Sequence, residues 1–515
     1  MKYINNALSW REINSSHNLM FAIVMTLAVF NFFFGEIVPE GGGFGWDGAT
    51  YGKITRYLDS LISNGQLSNY HAKRILPSTI VRIILLLMDA PFSNINIIRV
   101  FEFYNLVVLI GALWVWKRLA NNFSLSISGR WIGFCGIFMN FSLSKQAFYY
   151  PVLTDVTAIF VGLLLLLFYV EKRPVALFIT TIVGAFVWQL ASTYGAMLLI
   201  FLKTDISSDV IDQKIFASDR QLRFIKFFLF ALILLSFVIL ALLNTVIGVA
   251  ELSKIMYLLN KVVTIEVNTV DFHTEIQGIL TAMPSVVALS IGLLILVGST
   301  TFIKKVLEDL LSPRFLLLAL AIAAMLIPWA IVNIISNPLL RNDNTIRWIL
   351  IHAFLTPPNG KILLPFVALA VFWGPTVILM LLYWQSFCLE LRKLGPGVVA
   401  IMALSLPLGL VTEPRYITAA WPFMVFALVL ALEKLPRDAS FNTIFAILTI
   451  LFAKFWLKIN WWTWPDTGTY VGLEEFPKQM YFLSYGFWMN WATFLIQLLI
   501  VVLSTVWLRK TMRPA

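Results

Sequence analysis

The chain has 515 residues, 59% of them hydrophobic and 13% charged, with a mean hydropathy of +0.84 and a formal net charge of +11. Ordinary soluble domains carry about 25% charged residues, so this composition excludes a typical globular enzyme and an intrinsically disordered chain. It describes an all-α polytopic membrane protein, and at about 20 residues per crossing the apolar content suffices for about 14 transmembrane helices, with a range of about 11–14.

Apolar runs between charged breaks predict spans near Leu19–Val38, Asn96–Lys117, Arg130–Ser144, Val152–Val170, Pro174–Leu190 and Ala191–Lys203. Others follow near Leu222–Val249, Ile279–Ile303, Phe315–Ile335, Ile362–Cys388, Gly397–Val411, Tyr416–Glu433, Ser440–Ala453 and Gly486–Leu508. The run from Leu19 has no small-residue cleavage pattern behind it and reads as a retained first helix rather than a signal peptide. Cys135 and Cys388 lie inside apolar runs, which suits packing rather than a disulfide or a zinc site.

With the N-terminus inside, about 22 of the 38 Lys and Arg residues fall on the cytoplasmic side. The expectation is an integral protein of a bacterial inner (plasma) membrane with both termini cytoplasmic. Orientation and anionic lipid headgroups account for the basic balance, so no nucleic-acid partner is implied. Residues 1–515 read as one integral membrane domain. Its first external loop, 39–95, carries surface helices, and 454–485 forms a late external loop.

The first loop is the most informative segment. Glycine-rich sequence leads to Trp46-Asp47-Gly48, and Asp47 opens a helical pattern with Ile54, Tyr57, Leu58, Leu61 and Ile62 at three- and four-residue spacing. Asp47 reads either as a reactive carboxylate or as an N-cap accepting first-turn amides. Tyr70-His71-Ala72-Lys73-Arg74 follows, and adjacent cations beside a membrane suit a phosphate or lipid headgroups. Arg82, on an apolar stretch too short to span, reads as snorkelling or paired. Asp155 lies where the chain re-enters the membrane, an expensive place for a carboxylate without a polar cavity or a cationic partner such as Lys145 or an arginine. Glu413-Pro414-Arg415-Tyr416 forms a charged turn between two spans, either a self-contained ion pair or part of a site. Trp461, Trp462 and Trp464 offer flat faces for a sugar or anchors for the interface.

These features resemble the GT-C superfamily of polyprenyl-phosphate-dependent membrane glycosyltransferases. Trp46-Asp47-Gly48 stands where those proteins carry an acidic residue after the first span, and Lys73-Arg74-Ile75-Leu76-Pro77 is similar to their basic turn ending in Leu-Pro. Asp155 resembles the acid at the outer start of their fourth span, and Glu413-Pro414-Arg415-Tyr416 the late charged turn of several mannosyltransferases. The resemblance implies an inverting transferase with Asp47 as base, Lys73, Arg74 and Arg415 around a phosphate, and Asp155 and Glu413 orienting cations or sugar hydroxyls. It implies a polyprenyl-phosphate-sugar donor, a glycan or lipid acceptor, membrane lipids as surroundings, and no cofactor. The lone Asp47, in place of an Asp-x-Asp pair, speaks against metal dependence, and the chain lacks the large C-terminal soluble domain of oligosaccharyltransferase subunits. The competing readings are a lipid-linked polysaccharide polymerase or ligase, and a transporter or flippase without covalent chemistry.

Overall fold

A computed structural model describes residues 10–202, 272–298, 300–311, 314–340, 361–411, 413–460, 489 and 491–512. The predicted span 222–249 and Trp464 lie outside the described residues. Within them the chain is helical and forms no strand; two isolated backbone bridges join Ser68 to Asn337 and Arg437 to Met512.

Five helical segments among the described residues are long and apolar enough to cross a membrane: Asn14–Phe34, Asn94–Asn122, Phe315–Ile335, Pro414–Glu433 and Trp491–Thr511. Shorter apolar helices accompany them, so the architecture is compatible with an integral membrane protein. Burial divides the long helices into two kinds. Phe315–Ile335 leaves Phe315, Leu316, Ile322 and Met325 exposed, whereas Trp421–Glu433 buries nearly every side chain. Apolar exposure on this scale in a soluble protein would be a liability; against lipid it is the expected outer face.

We label the helices that frame the site α1 (Trp10–Phe34), α2 (Trp46–Ser63), α3 (Ile75–Leu87), α4 (Asn94–Asn122), α5 (Ile127–Phe138) and α6 (Asp155–Val170). After these come α7 (Phe272–Val297), α8 (Leu364–Trp373), α9 (Pro375–Leu382), α10 (Trp384–Leu394), α11 (Pro396–Leu408), α12 (Trp421–Glu433), α13 (Phe441–Ala453) and α14 (Trp491–Thr511). The central α12 packs on α5 and α10, and α6 packs on α4 and on the tight turn Pro414–Ala420 that leads into α12. The surface helix α2 rests on α3.

The predicted single span Ile362–Cys388 is instead three short helices, α8 to α10. Gly374 breaks the run with φ +83°, a backbone that favours glycine, and Pro375 behind it has no N–H to continue the ladder. Carbonyls freed in apolar surroundings need donors, and Lys454 Nζ donates to Val371 O at 3.2 Å.

A bracket joins the ends of α1 and α13. The Glu36 carboxylate accepts the backbone N–H groups of Ile459 at 2.6 Å and Asn460 at 2.9 Å, with Lys145 Nζ 3.5 Å away. Asn460 donates from its side chain to Ile37 O at 3.0 Å and accepts from Tyr149 Oη at 2.8 Å. Val38 N–H donates to Tyr149 O at 2.9 Å.

Candidate functional site

The first loop is pinned where it becomes a helix. Glycine is required at the start of α2: Gly45 has φ +65°, and a Cβ there would overlap the Tyr150 ring. A Cβ on Gly48 would overlap Val152 Cγ2 and approach Tyr150 Cε2 to 2.8 Å. That close approach lets Tyr150 Oη accept the Gly48 N–H at 3.0 Å. Tyr150 thereby takes one of the first-turn donors that a capping side chain would otherwise take. The helix cap is Gly45, with no side-chain cap hydrogen bond, so the N-cap reading of Asp47 is overturned. Asp47 stands in the first turn with its side chain 44% exposed.

Arg415 gathers the carboxylates. Its guanidinium lies 3.8 Å from Asp47, 3.5 Å from Asp155 and 3.7 Å from Glu413. The four residues come from α2, the start of α6 and the turn before α12, so three chain segments converge on one cation. The turn is held by Trp373, whose Nε1 donates to Pro414 O at 3.0 Å while its ring stacks on Trp421 at 4.5 Å. Thr418 Oγ1 donates to Arg415 O and reaches Asp155 Oδ1 at 3.5 Å. Asp155 Oδ2 and the neighbouring Thr154 Oγ1 are buried without a hydrogen bond. Native structures usually satisfy such atoms, so polar capacity remains at this spot.

Arg74 borders the cluster from the segment before α3. It is 2% exposed, stacks over Tyr70 at 4.4 Å and Trp188 at 4.6 Å, and donates to Tyr51 Oη at 3.4 Å. Its Nε has no partner and it makes no ion pair with a described residue. Burial lifts the Glu413 carboxyl above its usual range, opposed by Arg415 and Arg74 and reinforced by Asp47 and Asp155. Burial also raises the Tyr51 and Tyr70 phenols and lowers the His71 imidazole. Burial thus favours the phenolic O–H form of Tyr51 and Tyr70 and the neutral form of His71 along a rim that also carries carboxylates and guanidinium groups.

The structure thus brings together Asp47, Asp155, Glu413, Arg415 and Arg74, with Tyr416 within electrostatic reach of Glu413, Arg415, Tyr70 and Arg74. Lys73 is half-buried, its ammonium shifted down by burial, and it forms no ion pair with a described residue. Asp155 is partnered by Arg415, while Lys145 turns to Glu36. The charged turn is more than a local Glu413–Arg415 pair, because Arg415 also reaches two distant carboxylates. Arg82 is paired, at 2.7 Å from Asp59. Tyr57, expected on the packed face of α2, is 58% exposed.

Sequence reasoning did not single out Tyr51, Tyr150, Trp188 or Thr418 for the site. The glycines on both sides of Asp47 were the available signal for Tyr150, since they require something bulky close by. Among the described residues no group of three or more His, Cys, Asp and Glu side chains is arranged to hold a metal ion. No family model, curated protein or solved structure matches the chain.

Proposed function

We propose that the chain is a GT-C-type integral membrane glycosyltransferase. In this reading it transfers a sugar from a polyprenyl-phosphate donor to a hydroxyl of a glycan or lipid acceptor, with inversion. The observation that carries the reading is the convergence of Asp47, Asp155 and Glu413 on Arg415 at one end of a helical bundle. Asp47 is the exposed member, so it is the carboxylate an acceptor can reach, and it takes the hydroxyl proton as general base. The acceptor oxygen forms the new bond to the anomeric carbon as the bond to the phosphate oxygen breaks, and the electron pair leaves with the phosphate. Arg74 and Arg415 stabilise that charge, as positioned guanidinium groups do for oxyanions. Asp155 and Glu413 hold Arg415 in place. The charge bias of the loops supports a location of this site on the outer face of a plasma membrane with both termini inside.

Two further readings compete with it. The broken helix at Gly374 suits a transporter or flippase, whose sites are commonly built at discontinuous helices. A lipid-linked polysaccharide polymerase or ligase would share the external site and differ in its acceptor.

The test offers purified protein a panel of polyprenyl-phosphate-linked pentoses and hexoses with membrane extract as acceptor. Asp47→Asn keeps the shape and removes the basicity, and transfer should fall by about 10²–10⁴-fold. Normal turnover in Asp47→Asn removes the base. Lipid movement without any glycosylated product favours the flippase. A cysteine at Ser63, in a chain lacking Cys135 and Cys388, should react with an impermeant thiol reagent from outside; reaction only after permeabilisation reverses the orientation.

A further inference from the structure

The chain turns sharply where α7 ends. Gly298 takes φ +82°, a backbone that favours glycine, and Arg392 of α10 donates through Nη1 to Ile295 O at 2.8 Å. That bond serves one of the carbonyls that a helix end leaves without partners, so a side chain from another helix holds the corner. Beyond it runs the helix Thr300–Leu310, whose axis over Phe302–Glu308 departs from that of Thr281–Val297 by 63°. With 26 residues at about 1.5 Å each, α7 is about 39 Å long, against about 30 Å for the hydrocarbon core of a bilayer. A crossing therefore has no need of the helix after the corner.

That helix is split lengthwise. At about 3.6 residues per turn, Phe302, Ile303, Val306, Leu307, Leu310 and Leu311 occupy one contiguous half, and Lys304, Lys305 and Glu308 lie on the other. The protein covers only an edge of the apolar half. Phe302 is 2% exposed and Val306 half-buried, whereas Ile303, Leu307 and Leu310 are exposed and Leu311 is 84% exposed. Lys304, Lys305 and Glu308 are exposed too, with Lys305 Nζ 3.7 Å from Glu308.

A bare apolar face of this kind is a liability in water. What the helix joins indicates its cover: four residues after Leu311 the chain enters the lipid-facing Phe315–Ile335 helix, whose first residues, Phe315 and Leu316, are equally bare. A short helix between two of membrane length, bent out of line with the first and divided into apolar and charged halves, has the form of helices that lie at the boundary of headgroups and acyl chains. Lys304 and Lys305 are matched in the sequence by Glu308 and Asp309, so burial of apolar area, rather than attraction to anionic lipid, has to seat it.

We propose that Thr300–Leu310 lies in the plane of the membrane, with Ile303, Leu307, Leu310 and Leu311 inserted among the acyl chains just below the headgroups and the charged half in water. The inference stands on this helix and the corner before it, and does not depend on the transferase reading.

The experiment places a nitroxide spin label on Ile303→Cys, Leu307→Cys, Lys305→Cys or Glu308→Cys, one at a time, in the full chain carrying Cys135→Ala and Cys388→Ala. The protein is reconstituted in vesicles of dioleoylphosphatidylcholine, a lipid without net charge. The readout compares collisions with oxygen, which concentrates in hydrocarbon, and with nickel ethylenediaminediacetate, which stays in water. The oxygen-to-nickel ratio at 303 and 307 should exceed that at 305 and 308 several-fold and place the first two labels about 5–10 Å into the boundary. Equal, water-like ratios at all four positions overturn the proposal. So do equal, oxygen-rich ratios, which make the helix a continuation of a broken span, and labels at 303 and 307 shielded from both reagents, which mean that protein, such as a second copy, covers the face. A second measurement needs no substitution: wild type in the same vesicles is photolysed with a phosphatidylcholine bearing a diazirine high on its acyl chain, and the inserted sites are read by mass spectrometry. Insertion at Ile303, Leu307, Leu310 or Leu311 supports the proposal, and labelling of Phe315 and Leu316 with none at those four residues overturns it. If the cysteine-free chain melts well below wild type, this second measurement carries the decision.

Discussion

Removing Arg415 should be far more damaging than removing any one of its carboxylates. At 3.5–3.8 Å and an effective dielectric of about 20, each pair is worth about 4–5 kcal/mol before desolvation. The side chain of Asp47 is 44% exposed, so water screens that pair to about 1 kcal/mol or less. Asp155 differs: its side chain is 3% exposed and its Oδ2 has no hydrogen bond, so its charge depends on Arg415. Arg415→Met leaves that carboxylate buried beside no cation, at a cost of about 3–5 kcal/mol. Asp155→Asn leaves Arg415 with two carboxylates and should cost less. In the double variant the stranded charge is gone, and a coupling of about 1–3 kcal/mol should reappear as recovered stability. The assay compares apparent melting temperatures of the wild type, both single variants and the double variant in one neutral detergent. Arg415→Met should melt lowest and the double variant above it. A double variant that melts as low as the sum of the two single effects would refute the reasoning, because Asp155 would then carry no charge that Arg415 compensates.

Two smaller tests follow from the same cluster. Gly48→Ala forces α2 away from Val152 and Tyr150, with about 1–3 kcal/mol of overpacking; a displacement of about 1 Å at Asp47 should lower transfer about 10²-fold, whereas Ala at exposed Ser60 should not. Glu413 has a folded-state pKa above its ordinary 4.5, so its contribution to stability is fully present below that value and is lost as pH rises through the folded value; a melting-temperature difference between wild type and Glu413→Gln that is flat across that window contradicts the shift.

Much of the helical framework was legible because uninterrupted apolar runs leave few alternatives in a membrane. The Phe315–Ile335 helix matches its prediction at both ends, and α6 and α13 fall within a few residues of theirs. The α8–α9 break was written in Gly374-Pro375, but hydropathy smoothed over it because both flanks are equally apolar. In the site, Asp47, Asp155, Glu413 and Arg415 stood out because charge is costly at those boundaries. Their mutual distances were not legible, since Asp47 and Arg415 are brought together by packing between segments hundreds of residues apart. Tyr150 was hidden for a similar reason: its hydrogen bond to Gly48 spans 102 positions.

The chain between Glu36 and Gly48 is fastened at both ends to one short stretch, by Val38 to Tyr149 and by Gly48 to Tyr150, and Glu36 is further tied to Ile459 and Asn460. A connection so short, tied at both ends, has already given up most of its conformational entropy in the folded protein. Asp47 therefore does not travel with a closing flap. Its ordering cost falls on folding rather than on ligand binding, so in the proposed transferase any gate that admits an acceptor has to move over a carboxylate that stays still.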